Sequence, residues 1–400
     1  MSEDPGILFT AFEPSGDEHA APVIAALRAM LPKRVPIRAY GGPRMAEAGA
    51  ELIETTTTNA AMGAGAIAKL REQIALRRRF AKWLDDHPVA VHVPTDSPAA
   101  NWGMCKLVKR RWGYVEGGES LGRVVHLVAP QVWAWASWRV RRLQRWSDHV
   151  LCLLPFEPAW FAERGVEATF IGHPVFDEPA EDHELAWHAM NWPKPTVKLA
   201  LLPGSRPAEI DRNWPVIHEV ARRMTRRVDG LGALVAAVDA PAADRIRRLT
   251  PRLPENVRLV TAQTDGVLAW ADVVLTVSGT ASLHVARHGK PMTILFRASP
   301  IMWHALGRWL IETRTFSLPN LVAAGGPTDD LAKHVVREFI PFWGDPRPIV
   351  EELASLIEDE TKRRSQTDAL AAVAGQFEGH DAGREAAEVI AGYLPKGRNP

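Results

Sequence analysis

The sequence predicts an α/β protein of two doubly wound domains, with ligands bound in a cleft between them. Short β-branched runs ending in Gly, Pro or Asp alternate with longer amphipathic stretches, which is typical of βα units around parallel sheets. This pattern occurs twice along the chain. A length of 400 residues also exceeds the roughly 250 to 300 residues over which one hydrophobic core grows.

Candidate strands are separated by amphipathic stretches in both halves of the chain. In the first half they are residues 6–12, 35–41, 90–96, 123–130, 149–155 and 168–174. In the second half they are residues 198–205, 233–238, 257–262, 272–278 and 291–297. Ligands of open parallel sheets bind at the carboxyl ends of the strands, so functional residues are expected in the loops that follow them.

A segment rich in proline and acidic residues, 174–195, separates the two sets of strands and is typical of an interdomain connection. We therefore expect an N-terminal domain over residues 1–175 and a C-terminal domain over residues 176–375. Residues 376–400 predict an amphipathic helix after a glycine-containing break. By analogy with other two-domain folds, this helix is expected to cross back to the first domain.

Composition and charge exclude several classes of protein. The chain is 46% hydrophobic and 24% charged, as in ordinary soluble globular proteins, and its net charge of +1 provides no global attraction for nucleic acid. No run approaches the roughly 18 to 20 apolar residues that span a bilayer, and the N-terminus lacks the pattern of a secretory signal. The two cysteines, Cys105 and Cys152, have no metal-knuckle or redox spacing. We expect a cytoplasmic protein.

Segment 199–210 has the composition of a phosphate-binding loop. Its strand breaks at Pro203 and Gly204 and then presents Ser205 and Arg206. Glycine admits a ligand close to the backbone, and a guanidinium offers a bidentate fork to phosphate oxygens. A strand-to-helix turn with a solvated arginine is the alternative interpretation.

A second loop with anion-binding composition follows the strand at 272–278. Ser278, Gly279 and Thr280 precede a helix, whose free amides and two hydroxyls suit an anion. Simple capping of that helix by Ser278 or Thr280 is the alternative. Two such loops in one domain together suit a diphosphate.

Two loops in the first half also carry polar groups after strands. Ser15, Gly16 and Asp17 form a turn that resembles a phosphate or sugar loop but lacks the G-x-G-x-x-G dinucleotide motif; a plain turn capped by Asp17 is the alternative. Asp96 ends the strand at 90–96, a position that suits a general base for a sugar hydroxyl. The competing interpretation is that Asp96 caps the next helix.

Two segments combine basic residues with tryptophans or aliphatic residues at helical spacing. Segment 129–158 contains four of the 15 tryptophans and a basic helix face, which usually is a solvated surface with its tryptophans in the core. The basic residues of that face are Arg139, Arg141, Arg142 and Arg145. Segment 66–83 combines apolar residues such as Ile74 and Leu76 with basic ones and could rest on an anionic membrane. An ordinary packed helix is the alternative.

In their order, these motifs resemble the lipid-A-disaccharide synthase family over residues 7–395. The resembling segments are EPSGD (13–17), GGPRMAEAGAE (41–51), AMG (61–63), TDSP (95–98) with Asn101, APQVWAW (129–135), LPFEPAWF (154–161), FIGHPVFD (170–177), LLPGSR (201–206), VSGTASL (277–283), FR (296–297) and SLPNLVA (317–323). The ordered set is more specific than any single motif.

The resemblance implies an inverting glycosyltransferase with the two-domain GT-B fold, which needs neither metal nor cofactor. It implies transfer from a UDP-linked diacylated glucosamine to a diacylated glucosamine 1-phosphate, with release of UDP and a β-1,6-linked disaccharide. Asp96 would be the catalytic base. The implied donor-binding residues are Gly204, Ser205, Arg206, Ser278, Gly279, Thr280, His284, Arg297 and Asn320, and the acceptor-side residues are Ser15, Gly16, Asp17 and Asn101. Acylated substrates imply peripheral contact with the inner face of the cytoplasmic membrane.

The sequence departs from the family at several positions. Phe12 and Pro14 replace Gly and Ala of the usual Gly-Glu-Ala-Ser-Gly-Asp loop, and Ala99 and Ala100 replace Asp and Phe of Asp-x-Pro-Asp-Phe-Asn. His284 replaces a Glu that suits ribose hydroxyls, and an imidazole hydrogen bonds less strongly than a carboxylate. The family's Glu-Leu-Leu-Gln run is represented only loosely, by EFIPFWG.

These departures leave other functions open. One alternative keeps the chemistry but changes the sugar or lipid acceptor, and another is a relative that binds nucleotide or lipid without turnover. A dinucleotide-dependent oxidoreductase is disfavoured because no loop carries G-x-G-x-x-G.

Overall fold

The computed structural model describes residues 4–57, 66–113, 121–177, 195–300, 303–307 and 310–395. The chain forms two units, the first from Met1–Asp177 with Gly379–Pro400 and the second from Glu178–Glu378. Most of the expected connection at 174–195, and the AMG motif at 61–63, lie outside the described residues.

A parallel sheet lies at the centre of the first unit. Its strands are β1 (Gly6–Thr10), β2 (Ile37–Gly41), β3 (Glu51–Thr55), β4 (Val89–Pro94), β5 (Arg123–Leu127), β6 (His149–Cys152) and β7 (Ala168–Phe170). They are ordered β3-β2-β1-β4-β5-β6-β7, and every described pair is parallel. Each residue of β1, β2 and β4 is buried, because helices cover both faces of a parallel sheet.

Helices pack on both faces of this sheet. They are α1 (Pro14–Met30), α2 (Pro43–Glu47), α3 (Ala66–Asp86), α4 (Pro98–Trp112), α5 (Val140–Trp146) and α6 (Glu157–Ala162), with 3₁₀ turns at Ser137–Arg139 and Pro174–Phe176. Phe80 of α3 and Val108 of α4 pack with Leu8 and Tyr40 on one face. The last helix of the chain, at 382–392, joins α1 in the core on the other face.

A second parallel sheet forms the centre of the other unit. Its strands are β8 (Val197–Leu202), β9 (Leu231–Ala237), β10 (Val257–Thr261), β11 (Val273–Val277), β12 (Met292–Leu295) and β13 (Arg337–Phe339), ordered β10-β9-β8-β11-β12-β13. The described pairs in this sheet are also parallel. The largest fully buried side chain, Trp214, packs with Leu199, Leu201 and Ile217 on one face.

The remaining helices complete the two units. They are α7 (Pro207–Arg227), α8 (Ala240–Leu249), α9 (Thr264–Trp270), α10 (Thr280–Arg287), α11 (Leu318–Ala324), α12 (Arg347–Glu358), α13 (Glu360–Gly375) and α14 (Ala382–Gly392), with a π-helical turn at Trp303–Gly307 and a 3₁₀ turn at Leu331–Lys333. Of these, α14 belongs to the first unit and the others to the second. Within the described residues, no helix is long and apolar enough to cross a membrane.

All the predicted strands are present, but most of them end earlier than predicted. The first strand, for example, ends at Thr10 rather than at residue 12. Two strands were missed, β3 and β13, and both lie at the edges of their sheets. β3 has only two apolar residues, between two glutamates, and β13 has three residues, so neither produces the apolar run that identifies a buried parallel strand.

Candidate active site

Each sheet has a point where the strand order reverses, and ligands of doubly wound folds bind there. In the first unit this point lies between β1 and β4, and in the second it lies between β8 and β11. Ser15 follows β1 and Asp96 follows β4. The loops at 204–206 and 278–280 follow β8 and β11. The loops whose composition predicts ligand binding therefore lie at the positions where the topology predicts it.

Asp96 and Ser15 meet across the reversal point of the first sheet. The Ser15 hydroxyl donates a hydrogen bond to Asp96 Oδ2 at 2.7 Å, and the Ser97 amide donates to Oδ1 at 2.7 Å. Asp96 is partly exposed. An N-cap carboxylate would instead accept from the second or third amide of α4, and Ser97 occupies the cap position without a side-chain bond. The helix-capping interpretation of Asp96 therefore does not fit.

The backbone around Asp96 is strained. Asp96, Ser97 and Val128 have φ values of 50°, 36° and 67°, in the left-handed region that non-glycine residues avoid. Such a residue costs roughly 1–3 kcal/mol and persists only where its surroundings hold it, typically at a functional site. Here the Asp96 amide donates to the Leu127 carbonyl at 3.1 Å, which joins the ends of β4 and β5.

Asn101 forms hydrogen bonds with the backbone at Asp96. Its amide nitrogen donates to the Asp96 carbonyl at 2.8 Å and to the Thr95 carbonyl at 3.2 Å, and its oxygen accepts from the Thr10 hydroxyl at 2.6 Å. The buried His92 imidazole lies 2.9 Å from the same hydroxyl. Asn101 is 0% exposed. Its expected contact with the acceptor is therefore corrected to a positioning role beneath Asp96.

Gly16 and Asp17 have structural roles in the first turn of α1. The Asp17 carboxylate is buried and accepts from the amides of Arg44 and Met45 at 3.1 and 3.0 Å, in the first turn of α2. A Cβ at Gly16 would lie 2.9 Å from the Cβ of Ala11, so only glycine fits there. Of the three residues predicted in this turn, only Ser15 contacts Asp96. Asp17 is a cap after all, but of α2 rather than of its own helix.

His19 lies one helical turn after Ser15 and was given no role by the sequence. Burial lowers its pKa, and the nearby Asp96 carboxylate opposes that shift. The imidazole is therefore neutral near pH 7. It lines a small pocket with Leu127 and Val128, at the carboxyl end of β5. The motif EPSGDEHAA contained this residue, and its i, i+4 spacing from Ser15 was the available signal.

The 204–206 turn is open to solvent. Gly204 has φ 103°, and a Cβ there would lie 3.0 Å from Glu209 Oε2, so glycine is required. Ser205 is exposed. The Arg206 side chain is 68% exposed, and its guanidinium is 3.1 Å from Glu209. Arg206 is also the N-cap residue of α7 and has no side-chain capping bond. Pro207, the first residue of that helix, has no N–H, and the Glu209 amide donates to the Arg206 carbonyl at 3.0 Å, so the Ala208 amide is the donor left in this turn.

The 278–280 turn leaves the N-terminus of α10 uncapped. Gly279 is its N-cap residue, with φ 131°, and no side chain caps the helix. Thr280 is exposed, whereas the Ser278 hydroxyl donates to the Phe316 carbonyl at 3.2 Å. The capping interpretation is therefore wrong for both hydroxyls. Uncapped amides at the start of a helix of this length favour an anion.

Asn320 does not point to a ligand. It is 0% exposed. Its oxygen accepts from the amides of Val335 and Val336, and its nitrogen donates to the Val336 carbonyl and to Glu338 at 2.8 and 2.7 Å. Both ends of the side chain are thus occupied within the protein. The predicted donor contact is corrected to a structural role.

Glu338, in the loosely matched EFIPFWG run, organises the loop beside the 278–280 turn. Its carboxylate accepts from the amides of Phe316 and Ser317 at 3.1 and 2.9 Å, and from the Ser317 hydroxyl and Asn320. Phe316 in turn accepts from Ser278. Glu338 therefore fixes the 278–280 turn indirectly.

Replacing Glu338 by alanine is expected to leave these donors without an acceptor. Each partly buried donor left unpaired costs about 1 kcal/mol or more, so the free energy of unfolding should fall by about 2–4 kcal/mol. Thermal unfolding measures this. Glu351→Ala, at an exposed glutamate of α12, is the control and should have little effect. Equal melting temperatures for the two variants would contradict the role of Glu338.

His284 and Arg297 are the remaining residues predicted to bind the sugar donor. Both side chains also have contacts within the protein. His284 Nδ1 lies 3.9 Å from Asp265 Oδ1, and burial lowers the pKa of this histidine. Asp265 itself accepts from Arg287 and His288, both at 2.9 Å. The Arg297 guanidinium donates to a backbone carbonyl of α7 at 3.1 Å.

Two doubly wound units with polar loops at both strand-order reversals define the GT-B fold. The chain is similar to the crystal structure of the glycotransferase of kitacinnamycin, with a TM-score of 0.61, 16% identity and coverage of 98% and 100% of the two chains. It is also similar to UDP-GlcNAc 2-epimerase from Neisseria meningitidis bound to UDP-GlcNAc, with a TM-score of 0.58, 12% identity and coverage of 96% and 98%. These likenesses confirm the predicted fold.

The chain belongs to the lipid-A-disaccharide synthetase family, whose pattern it matches over residues 7–389. It is 31% identical to lipid-A-disaccharide synthase of Myxococcus xanthus over 405 aligned residues, which cover 100% of both chains. It is 33% identical to that of Verminephrobacter eiseniae, covering 79% of this chain and 80% of the relative. The family resemblance and the assignment as a glycosyltransferase are thereby confirmed.

Proposed function

We propose that this protein transfers a 2,3-diacylglucosamine unit from UDP to 2,3-diacylglucosamine 1-phosphate, giving the β-1,6 disaccharide of lipid A and UDP. The observation that carries the proposal is the Ser15–Asp96 pair at the strand-order reversal of the first sheet. The two anion-ready turns at the corresponding point of the second sheet support a diphosphate donor. Family membership supports the identity of both sugars.

Asp96 is the proposed general base. Its carboxylate takes the proton of the acceptor 6-hydroxyl as that oxygen bonds to the anomeric carbon of the donor. The bond between this carbon and the diphosphate oxygen breaks, and its electron pair leaves with UDP. One displacement inverts the configuration, which gives a β-linkage from an α-linked donor. Ser15 and Asn101 hold the carboxylate and its backbone in position.

The leaving diphosphate needs positive charge and hydrogen-bond donors. Arg206, the Ala208 amide of α7 and the uncapped amides of α10 are the proposed groups, together with the hydroxyls of Ser205 and Thr280. Fixed donors of this kind stabilise charge that develops in the transition state. Ser278, whose hydroxyl is bonded to Phe316, shapes the turn.

Mass spectrometry tests the reaction directly. The protein is incubated with UDP-2,3-diacylglucosamine and 2,3-diacylglucosamine 1-phosphate, and we expect the mass of the disaccharide 1-phosphate together with UDP. If a disaccharide forms only with another acceptor, the proposed acceptor is wrong and the glycosyl transfer itself is supported. UDP binding without any product would favour a non-catalytic relative, and the departures at Phe12, Ala99 and His284 would then be the first positions to revert.

UDP is expected to bind without a divalent cation. Among the described residues, no cluster of three His, Cys, Asp or Glu side chains is suited to hold a metal ion. Arg206 and the helix-end amides provide charge for the phosphates instead. Titration calorimetry with UDP should give the same affinity in chelator and in magnesium. A large loss of affinity in chelator that magnesium or manganese restores would disprove the metal-free assignment.

A further inference from the structure

Two exposed tryptophans lie close together on the first unit. Trp135 is 45% exposed and Trp138 is 58% exposed, although the sequence favoured a core position for Trp135. The segment between β5 and β6 carries them, together with Arg139 and the basic residues of α5. We name Trp135, Trp138, Arg139, Arg141, Arg142 and Arg145 the Trp/Arg surface.

Three of the four arginines of this surface are available to an external anion. Arg141, Arg142 and Arg145 are exposed, and none forms an ion pair with a carboxylate of the described residues. The Arg139 guanidinium stacks over Trp135 at 3.6 Å, and that of Arg142 lies 5.9 Å from the Trp138 ring. A surface of positive charge and indole rings thus faces outward.

The helix beneath this surface is anchored. Val140 and Leu143 of α5 are buried in a core cluster with Val150 and Phe161. The outward residues of α5 are therefore presented by a packed element. The segment also continues from β5, whose last residue, Leu127, accepts a hydrogen bond from the Asp96 amide. Its position along the chain associates it with the proposed acceptor site.

The segment predicted to contact membranes, 66–83, is less suited to that role. In its described part, Leu76 and Phe80 are buried in the core with Leu84, so the apolar face of α3 is already covered. Ile74 is 43% exposed, among mostly charged neighbours. The side chains of residues 66–70 lie outside the described part. The packed-helix interpretation fits the described turns of α3.

We propose that the Trp/Arg surface docks the first unit on a bilayer with anionic phospholipid headgroups. Indole rings favour the boundary between headgroups and acyl chains, and guanidinium groups bind lipid phosphates as bidentate donors. Positive charge without a carboxylate partner among the described residues favours an anionic rather than a zwitterionic surface. The proposal rests on the proposed function, because acylated substrates reside in membranes and the enzyme must reach them there. Binding to vesicles is measured without the reaction and tests the surface separately.

Sedimentation of the full-length protein with vesicles tests this surface. We expect binding to vesicles of phosphatidylglycerol and phosphatidylcholine, weak binding to pure phosphatidylcholine, and weaker binding in high salt. The triple variant Arg141→Gln, Arg142→Gln, Arg145→Gln should reduce partitioning on the order of 100-fold, since each basic residue near an anionic surface contributes about fivefold. Trp135→Ala with Trp138→Ala should weaken binding to anionic vesicles as well.

Matched variants on the second unit separate a specific surface from net charge. The control Arg226→Gln, Arg248→Gln, Arg252→Gln removes the same charge from exposed positions, and Leu249→Ala with Leu331→Ala removes exposed apolar groups. Both controls should bind vesicles like the wild type. Equal losses in the two arginine triples, or unchanged binding of the surface variants, would overturn the proposal. So would a wild type that sediments with neither vesicle.

The two proposals fail in different ways. UDP affinity, measured by calorimetry, should be unchanged in the surface variants because these residues belong to the first unit and not to the donor turns. A wild type that binds anionic vesicles but forms no disaccharide contradicts the proposed function alone. A wild type that joins detergent-dispersed substrates but does not bind vesicles contradicts the Trp/Arg surface alone.

Discussion

Asp96→Asn should reduce turnover by about 10² to 10⁴-fold, the usual contribution of a general base, while UDP affinity changes little. Asparagine keeps the size of the side chain, and its oxygen can still accept from Ser15 or from the Ser97 amide. What it loses is the basic electron pair that takes the proton of the acceptor hydroxyl. Disaccharide formation and UDP calorimetry are measured on the same preparation.

Two further variants define the role of Asp96. Ser15→Ala removes one of the hydrogen bonds to the carboxylate, so a smaller loss of turnover is expected. Asp86→Asn, at an exposed aspartate of α3, should have no effect. If Asp96→Asn unfolds the protein or abolishes UDP binding, the residue is structural. Unchanged turnover in an otherwise active protein would rule out its role as the base.

The first unit should lose stability as the pH falls from about 6.5 toward 3. Burial lowers the pKa of His92 to about 3 and that of His126 to about 4. The unfolded chain takes up protons near pH 6.5 while the folded chain does not, so acid favours unfolding. The pKa shift of His92 corresponds to roughly 3–5 kcal/mol of unfolding free energy. Thermal unfolding followed across this pH range measures the effect.

His92→Gln should flatten this pH dependence. A glutamine amide can replace the imidazole as a donor to Thr10, and it does not titrate. Glu157→Gln provides a control of opposite sign, because burial raises the pKa of Glu157 to about 7. That carboxyl ionises first in the unfolded chain, so it lowers stability as the pH rises from about 4.5 to 7. Identical pH profiles for wild type and His92→Gln would contradict the assignment to His92.

The sequence was most informative for candidate site residues that directly follow a strand. Asp96, the 204–206 turn and the 278–280 turn all follow apolar runs, and parallel topology brings the ends of such runs to one edge of a sheet. Their approximate positions could therefore be read from the sequence. The meeting of Ser15 with Asp96 depends on β1 and β4 being neighbours, which a list of strands does not determine.

The sequence was least informative where the partner of a polar group is a distant backbone atom. Asp17, Asn101 and Asn320 have the side chains of ligand-binding residues, but their partners are groups of α2, the β4 loop and the segment before β13. Residue type alone cannot distinguish a buried hydrogen-bonding network from a ligand site. Glu338 was overlooked for the related reason that it lies in a three-residue edge strand.

The placement of α14 in the first unit sets the order in which the protein can be completed during synthesis. Ala386, Ala387 and Ile390 belong to the same core as Ile24 and Leu27 of α1. Every residue of the second unit is translated before that helix. Domains usually fold in the order in which they leave the ribosome. Here the face of the first unit that packs against α14 stays uncovered until that helix is synthesised. The unit whose synthesis begins first is therefore completed last.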